Sequence, residues 1–254
     1  MIVVGNGRIG GVFAAAGATV VTRTGPHAPL RMPHPGEPIV VCTRNDDLEA
    51  VIQATHEENR VDLCFVQNGM LRPLLMAYDL HGCTQGLLYF AVRAPGAAPE
   101  PGGESVFWGP HATEIVQLLT GRGVAANTLP DHDALSREIA VKLAWTLVMG
   151  LLGDAHRQPV GELARARRGE VEALVVEVAP VLARALDTTL PPRALIDRVL
   201  RYSLSIPSWR AGLKELPWRN GWLVGAAREL GLAIPRHDAL MRSLGLAEVD
   251  ALYG

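Results

Sequence analysis

Apolar residues fall along the chain in two regimes. Through the first half they come as short unbroken runs: MIVVG (1–5), ATVVT (18–22), PIVVC (38–42) and VDLCFVQ (61–67), then GLLYFAVR (86–93), ESVFWG (104–109) and GVAANTL (123–129). β-Branched runs without alternation suit strands covered on both faces, as in a parallel sheet. Residues 46–55, 70–77 and 111–120 have the spacing of helical crossovers between them, and the Pro/Gly-rich stretch 94–103 reads as a loop. After Pro130 the period becomes helical, over 131–153, 161–186, 192–202, 216–230 and 237–244, with prolines and glycines at the ends. The pattern predicts an α/β fold class, with an N-terminal Rossmann-type parallel sheet domain (1–130) followed by an all-α C-terminal domain (131–254).

Composition narrows the partners. The 254 residues are 48% hydrophobic and 20% charged, the balance of a packed globular chain. A net charge of −2 offers nothing to a nucleic acid or an anionic membrane. The longest apolar stretch, 140–153, is interrupted by Lys142 and is too short to span a bilayer. No basic segment leads into an apolar core at the start, so no secretory leader is expected. Cys42, Cys64 and Cys83 are odd in number and lack metal-ligand spacing, so reduced thiols in a cytoplasmic protein, and no metal, are expected.

The first run leads into Gly5-Asn6-Gly7-Arg8-Ile9-Gly10. G-x-G-x-x-G behind a strand is the dinucleotide fingerprint: Gly5 for the tight turn, Gly7 for approach of the pyrophosphate, Gly10 for packing of helix on strand. Only GVFAAA separates Gly10 from Gly17, so the following helix is short. The second run ends in Thr22-Arg23, where an acidic residue would favour NAD and an arginine accommodates the 2′-phosphate of NADP. Arg23 therefore points to NADP(H), against the plainer reading of an exposed arginine. The third run ends at Arg44 and the fourth at Gln67-Asn68-Gly69-Met70, both at the carboxyl side of the sheet, where such folds bind ligands.

With VQNGM in place, the arrangement resembles the ketopantoate reductase (2-dehydropantoate 2-reductase) family. REIAVKLAWTLVMGLLGDAHRQPVGEL (137–163) is similar to that family's segment bearing a catalytic lysine, here Lys142. KELPWRNGWLVGAARELGLAIPRHDAL (214–240) is similar to its glutamate and Asn-Gly signature, with Glu215 five residues before Asn220-Gly221. The resemblance implies a reductase of a small carbonyl substrate. Lys142 would stabilise the charge developing on oxygen and give the proton, and Glu215 would hold the substrate or tune the lysine. Asn68 would serve cofactor and substrate, Arg44 the cofactor phosphates, and Thr146, Ser208 and Asn220 the substrate. A homodimer through the helical domain is a further implication. The apolar neighbours of Lys142 suit a helix at a domain interface; the competing reading pairs it with Glu138 one turn earlier.

Two family asparagines are replaced by Thr146 and Gly150, and the segment carrying the substrate-binding serine is shortened, so that Ser203, Ser205 and Ser208 compete for the role and Arg210 offers a substitute. The expectation is a diverged NADP-dependent reductase acting on a small 2-oxo-acid-like substrate other than ketopantoate. The alternative is a catalytically silent relative that binds NADP or a protein partner.

Overall fold

The computed structural model describes residues 1–22 and 34–246. The chain packs as two units, Met1–Leu135 and Ser136–Gly254.

In the first unit, β1 (Ile2–Val4), α1 (Arg8–Ala15), β2 (Thr19–Val21), β3 (Ile39–Val41), α2 (Leu48–Ala54), β4 (Leu63–Phe65), α3 (Arg72–Ala77) and β5 (Thr84–Leu87) follow in order. They are succeeded by β6 (Phe90–Ala91), β7 (Glu100–Pro101), β8 (Ser105–Trp108), α4 (Ala112–Thr120) and β9 (Ala126–Thr128). Seven strands form one sheet in the order β2-β1-β3-β4-β5-β8-β9. In register, Val3 lies beside Val20 and Val40, and Val40 beside Cys64. Because strand side chains alternate, Val3, Val40 and Cys64 share one face, where they join Val12 and Phe13 of α1 and Ile115 and Leu119 of α4 in a single core. The opposite face carries Ile2, Ile39, Val41, Leu63 and Phe65, equally buried. Burial on both faces is what the unbroken apolar runs require.

One pairing departs from the expected parallel sheet: β8 runs antiparallel to β5. The chain between them carries no crossover helix, and the stretch 94–103, expected as a loop, contributes β7 to a hairpin with β6. A return without a crossover produces an antiparallel neighbour. Pro101 sits in this two-stranded ribbon, where a missing N–H is tolerated at an edge.

The helix α5 (His132–His156) continues into the second unit, which adds α6 (Val160–Ala166), α7 (Arg168–Leu186), α8 (Pro192–Ser205), α9 (Asn220–Glu229) and α10 (Pro235–Ser243). The helix expected over 161–186 is two helices broken at Arg167 (φ −120°, ψ 28°). Its guanidinium holds the corner, donating to Gln158 at 3.0 Å on one side and Glu170 at 2.8 Å on the other. The helix expected over 216–230 begins as a 3₁₀ turn, Leu216–Trp218, ahead of α9. Arg198 of α8 grips both oxygens of Glu138 on α5, at 2.5 and 2.8 Å, and Trp145 donates to Ser203 at 3.0 Å. Glu177 of α7 accepts the first backbone N–H groups of α10 from Arg236 and His237, at 3.0 and 2.8 Å. A carboxylate at a helix N-terminus is favourably placed.

Candidate functional site

In the first unit the sheet order reverses between β2 and β3, on either side of β1, so the carboxyl ends of β1 and β3 form a switch point of the kind that binds ligands. Gly5 and Gly10 belong to the turn that fills it. Gly5 has φ +103°, and a Cβ on Gly10 would stand 1.9 Å from the Gly5 carbonyl oxygen. No other residue type allows α1 to start this close to β1. Gly7 is different, since a Cβ there would meet no heavy atom within 4 Å. The fold does not need this glycine; a ligand approaching the backbone does. No acidic residue stands in the first turn of α1, so its free N–H groups and dipole are available to an anion. Beside Gly5, the Thr43 hydroxyl is buried with no hydrogen-bond partner. These features fit a dinucleotide pyrophosphate.

Asn6, Gly7 and Arg8 are exposed and Ile9 half-buried. Arg44 is exposed just beyond β3, in extended backbone that starts a 3₁₀ turn. Asn68 lies just past β4, and its carbonyl accepts from Asn45 at 2.7 Å. Gln67 donates to the carbonyls of Val41 at 2.7 Å and Thr43 at 3.3 Å, tying the ends of β3 and β4 together. Asn45 and Thr43 are supports that motif spacing did not single out, and Gln67 figured there only as part of the turn motif. Arg23 lies outside the described residues.

In the second unit, Lys142 is half-buried in the middle of α5. Burial, with the charge of Arg219 added to it, pushes its ammonium down to about 7. The carboxylate of Glu138 is held by Arg198. Thr146, one turn further along, is buried and donates its hydroxyl back to the Leu143 carbonyl at 3.0 Å. Glu215, in a left-handed conformation (φ 49°), accepts from Arg219 at 2.6 Å across the 3₁₀ turn. Asn220 is 1% exposed, and its amide NH₂ donates to the Leu147 carbonyl at 3.1 Å and to His237 Nε2 at 3.0 Å. That NH₂ docks α9 on α5, while the Asn220 Oδ1 is buried without a hydrogen-bond partner. Burial pushes the His237 imidazole down to about 4, so it is neutral and can accept the bond from that NH₂.

The serine candidates differ in their surroundings. The segment 207–213 runs along the end of α5 and the start of α6: Val160 and Gly161 donate to the carbonyls of Trp209 and Pro207, Leu213 donates to Asp154, and Arg210 to the Arg157 carbonyl. On α5 the segment meets the helix at Asp154, twelve residues beyond Lys142, about 18 Å along the helix, and comes back as far as Gly150. Ser208 is exposed there, whereas Ser203 is buried and donates to Val199. At Gly150 a Cβ would stand 3.1 Å from the Gly212 carbonyl oxygen, so the segment packs closely there. Lys142 thus lies within the electrostatic reach of Arg219, which is paired with Glu215. Arg219 escaped the motif reading, because the signature places it at an unassigned position before Asn-Gly.

No family model matches the sequence, and no curated protein sequence does. Solved structures match over the whole chain. The 2-dehydropantoate 2-reductase of Methylococcus capsulatus is 15% identical, with a TM-score of 0.77, covering 100% of this chain and 98% of its own. The ketopantoate reductase of Staphylococcus aureus, described as dimeric, is 17% identical with a TM-score of 0.71, over 100% and 99%. A D-mandelate dehydrogenase, solved with NADH and anilino(oxo)acetate, is 14% identical with a TM-score of 0.71, over 100% of both chains. The fold is therefore that of the ketopantoate reductases, a Rossmann-type unit followed by a helical one.

Proposed function

We propose that the chain is an NADP-dependent reductase of a small 2-oxo-acid-like substrate, with Lys142 as general acid. One observation supports the reading: in a fold shared with 2-oxo-acid reductases, the half-buried Lys142 ammonium feels the charge of Arg219, which is paired with Glu215. Gly5 to Gly10, Thr43, Arg44 and Asn68 would hold the dinucleotide, with Arg23 at its 2′-phosphate. Bound there, a reduced nicotinamide supplies a hydride to the carbonyl carbon. As charge collects on the carbonyl oxygen, Lys142 Nζ donates its proton to that oxygen and is left neutral, to be recharged from water. A group near 7 can do both at neutral pH. Ketopantoate is not the proposed substrate, because Thr146 and Gly150 stand where its recognition would need asparagines.

Exposed Val176, Leu204 and Trp209 on the helical unit support its use as a homodimer face. Among the described residues no helix is long and apolar enough to cross a membrane. The closed packing at Gly150 favours a second reading, a silent dinucleotide-binding relative. NADPH oxidation over a panel of 2-oxo acids, ketones and imines separates the two. Turnover of a 2-oxo acid that Lys142→Ala abolishes, with NADPH affinity nearly unchanged, supports the reductase. Tight NADPH binding with no turnover across the panel supports the silent protein.

A further inference from the structure

The reductase reading leaves open how a substrate without the family's serine and asparagines is gripped, and Arg219 offers an answer. Its residue is 9% exposed and its Nε is buried with no hydrogen-bond partner. A buried charged donor without a partner is costly, and folds rarely keep one without a use. The guanidinium is also held in place. NH2 donates to Glu215, the turn beneath it is closed by Trp218 N–H to the Glu215 carbonyl at 2.9 Å and Arg219 N–H to the Leu216 carbonyl at 3.1 Å, and the next residue is fixed to Leu147. Leu147 is five residues from Lys142, about 7.5 Å along the helix.

We propose that the Arg219 guanidinium anchors the substrate's carboxylate, so that this chain selects 2-oxo acid anions over neutral carbonyl compounds. The proposal rests on the reductase reading and assigns that site its recognition element. An arginine edge carrying Nε–H matches a carboxylate by two parallel hydrogen bonds. In a 2-oxo acid the carboxylate is bonded directly to the reacting carbonyl carbon. A cation gripping the one must therefore act close to the ammonium that serves the other, and Arg219 lies within electrostatic reach of Lys142, next to the residue docked on Leu147. The charge balance agrees: Glu215 offsets one positive charge of the pair, and an anionic substrate offsets the second. The alternatives raised by the sequence lie elsewhere, Arg210 on the Arg157 carbonyl and Ser208 on the exposed segment beyond α5.

The test is made on the full chain with NADPH bound, using pyruvate, 2-oxobutyrate and phenylpyruvate beside their methyl esters, and oxamate as a non-reacting probe. The unmodified protein is expected to prefer each acid to its ester, and Arg219→Met to raise the KM of the acids by roughly 30-fold while leaving that of the esters nearly unchanged. Arg219→Lys, which keeps the charge but not the fork, is expected to recover only part of the loss. Oxamate binding that depends on Arg219 without turnover of any acid keeps the anchor and removes the reductase reading. Turnover of esters or ketones as good as that of acids, or a KM that responds to Arg210→Met and not to Arg219→Met, overturns the anchor while the reductase stands. No oxamate binding by the unmodified protein also overturns it.

Discussion

With its ammonium pushed down to about 7, Lys142 is half-protonated at neutral pH, whereas in the unfolded chain it titrates near the ordinary 10.5. Two consequences follow with opposite signs. Proton donation needs the charged form, so kcat for carbonyl reduction is expected to fall as pH rises through about 7. Between about 7 and 10.5 the unfolded chain binds the extra proton, so folding stability contributed by this residue rises with pH in that window and is lowest below it. Lys142→Met is therefore expected to stabilise the protein by about 2 kcal/mol at pH 6.5, allowing for solvent contact, and by little at pH 10. Urea denaturation at the two pH values measures this; a destabilised variant at pH 6.5 would contradict the placement. Lys142 and Glu215 could be proposed from the sequence because one sits among apolar residues and the other five residues before Asn-Gly. Arg219 could not, because its burial depends on a 3₁₀ turn and on where α9 docks. Asn220 shows a motif residue whose amide NH₂ also serves packing, on the Leu147 carbonyl and His237.

At the scale of elements, the segment 207–213 sets the close packing at one end of α5. It lies against α5 and α6 so closely that a Cβ on Gly153 would stand 2.2 Å from the Ala211 carbonyl oxygen, and one on Gly161 2.5 Å from Pro207. These contacts are with backbone or a rigid ring, so they cannot be relieved by turning a flexible side chain. Gly153→Ala is expected to cost about 1–3 kcal/mol by overpacking, although alanine is the better helix former by about 1 kcal/mol. A denaturant midpoint lower than that of the unmodified chain is the expected reading, and a higher midpoint would mean that the segment is not held against α5. None of this was legible beforehand, since a glycine within a helical pattern reads only as a weak position. Hydrophobic period located α5, α8 and the strands of the first unit well. It missed the break at Arg167, which is set by polar contacts to Gln158 and Glu170, and the antiparallel return of β8, which depends on a two-residue hairpin too short to leave a period.

For the molecule as a whole, the fold is shared with oxidoreductases at 14–17% identity, so the fold by itself does not assign the residues of the site. Gly5 and Gly10 are demanded by the backbone of the first unit, but Gly7 is not, and this separates the fold from its use. A ligand that binds only the folded chain stabilises it by about 2.7 kcal/mol at one hundred times its Kd. For a chain of this size that corresponds to a rise in Tm of roughly 5–10 °C. Such a rise is expected with NADPH and a smaller one with NADH at equal concentration, because the sequence supplies Arg23 and no acidic residue after the second strand. Gly7→Ala is expected to leave the Tm without ligand nearly unchanged, since its Cβ meets nothing, and to remove most of the rise, since the pyrophosphate would meet it. Lys142→Met and Arg219→Met, both in the other unit, are expected to keep the rise in full. Equal shifts with both dinucleotides would remove the NADP preference, and a full shift in Gly7→Ala would place the dinucleotide somewhere other than the glycine turn.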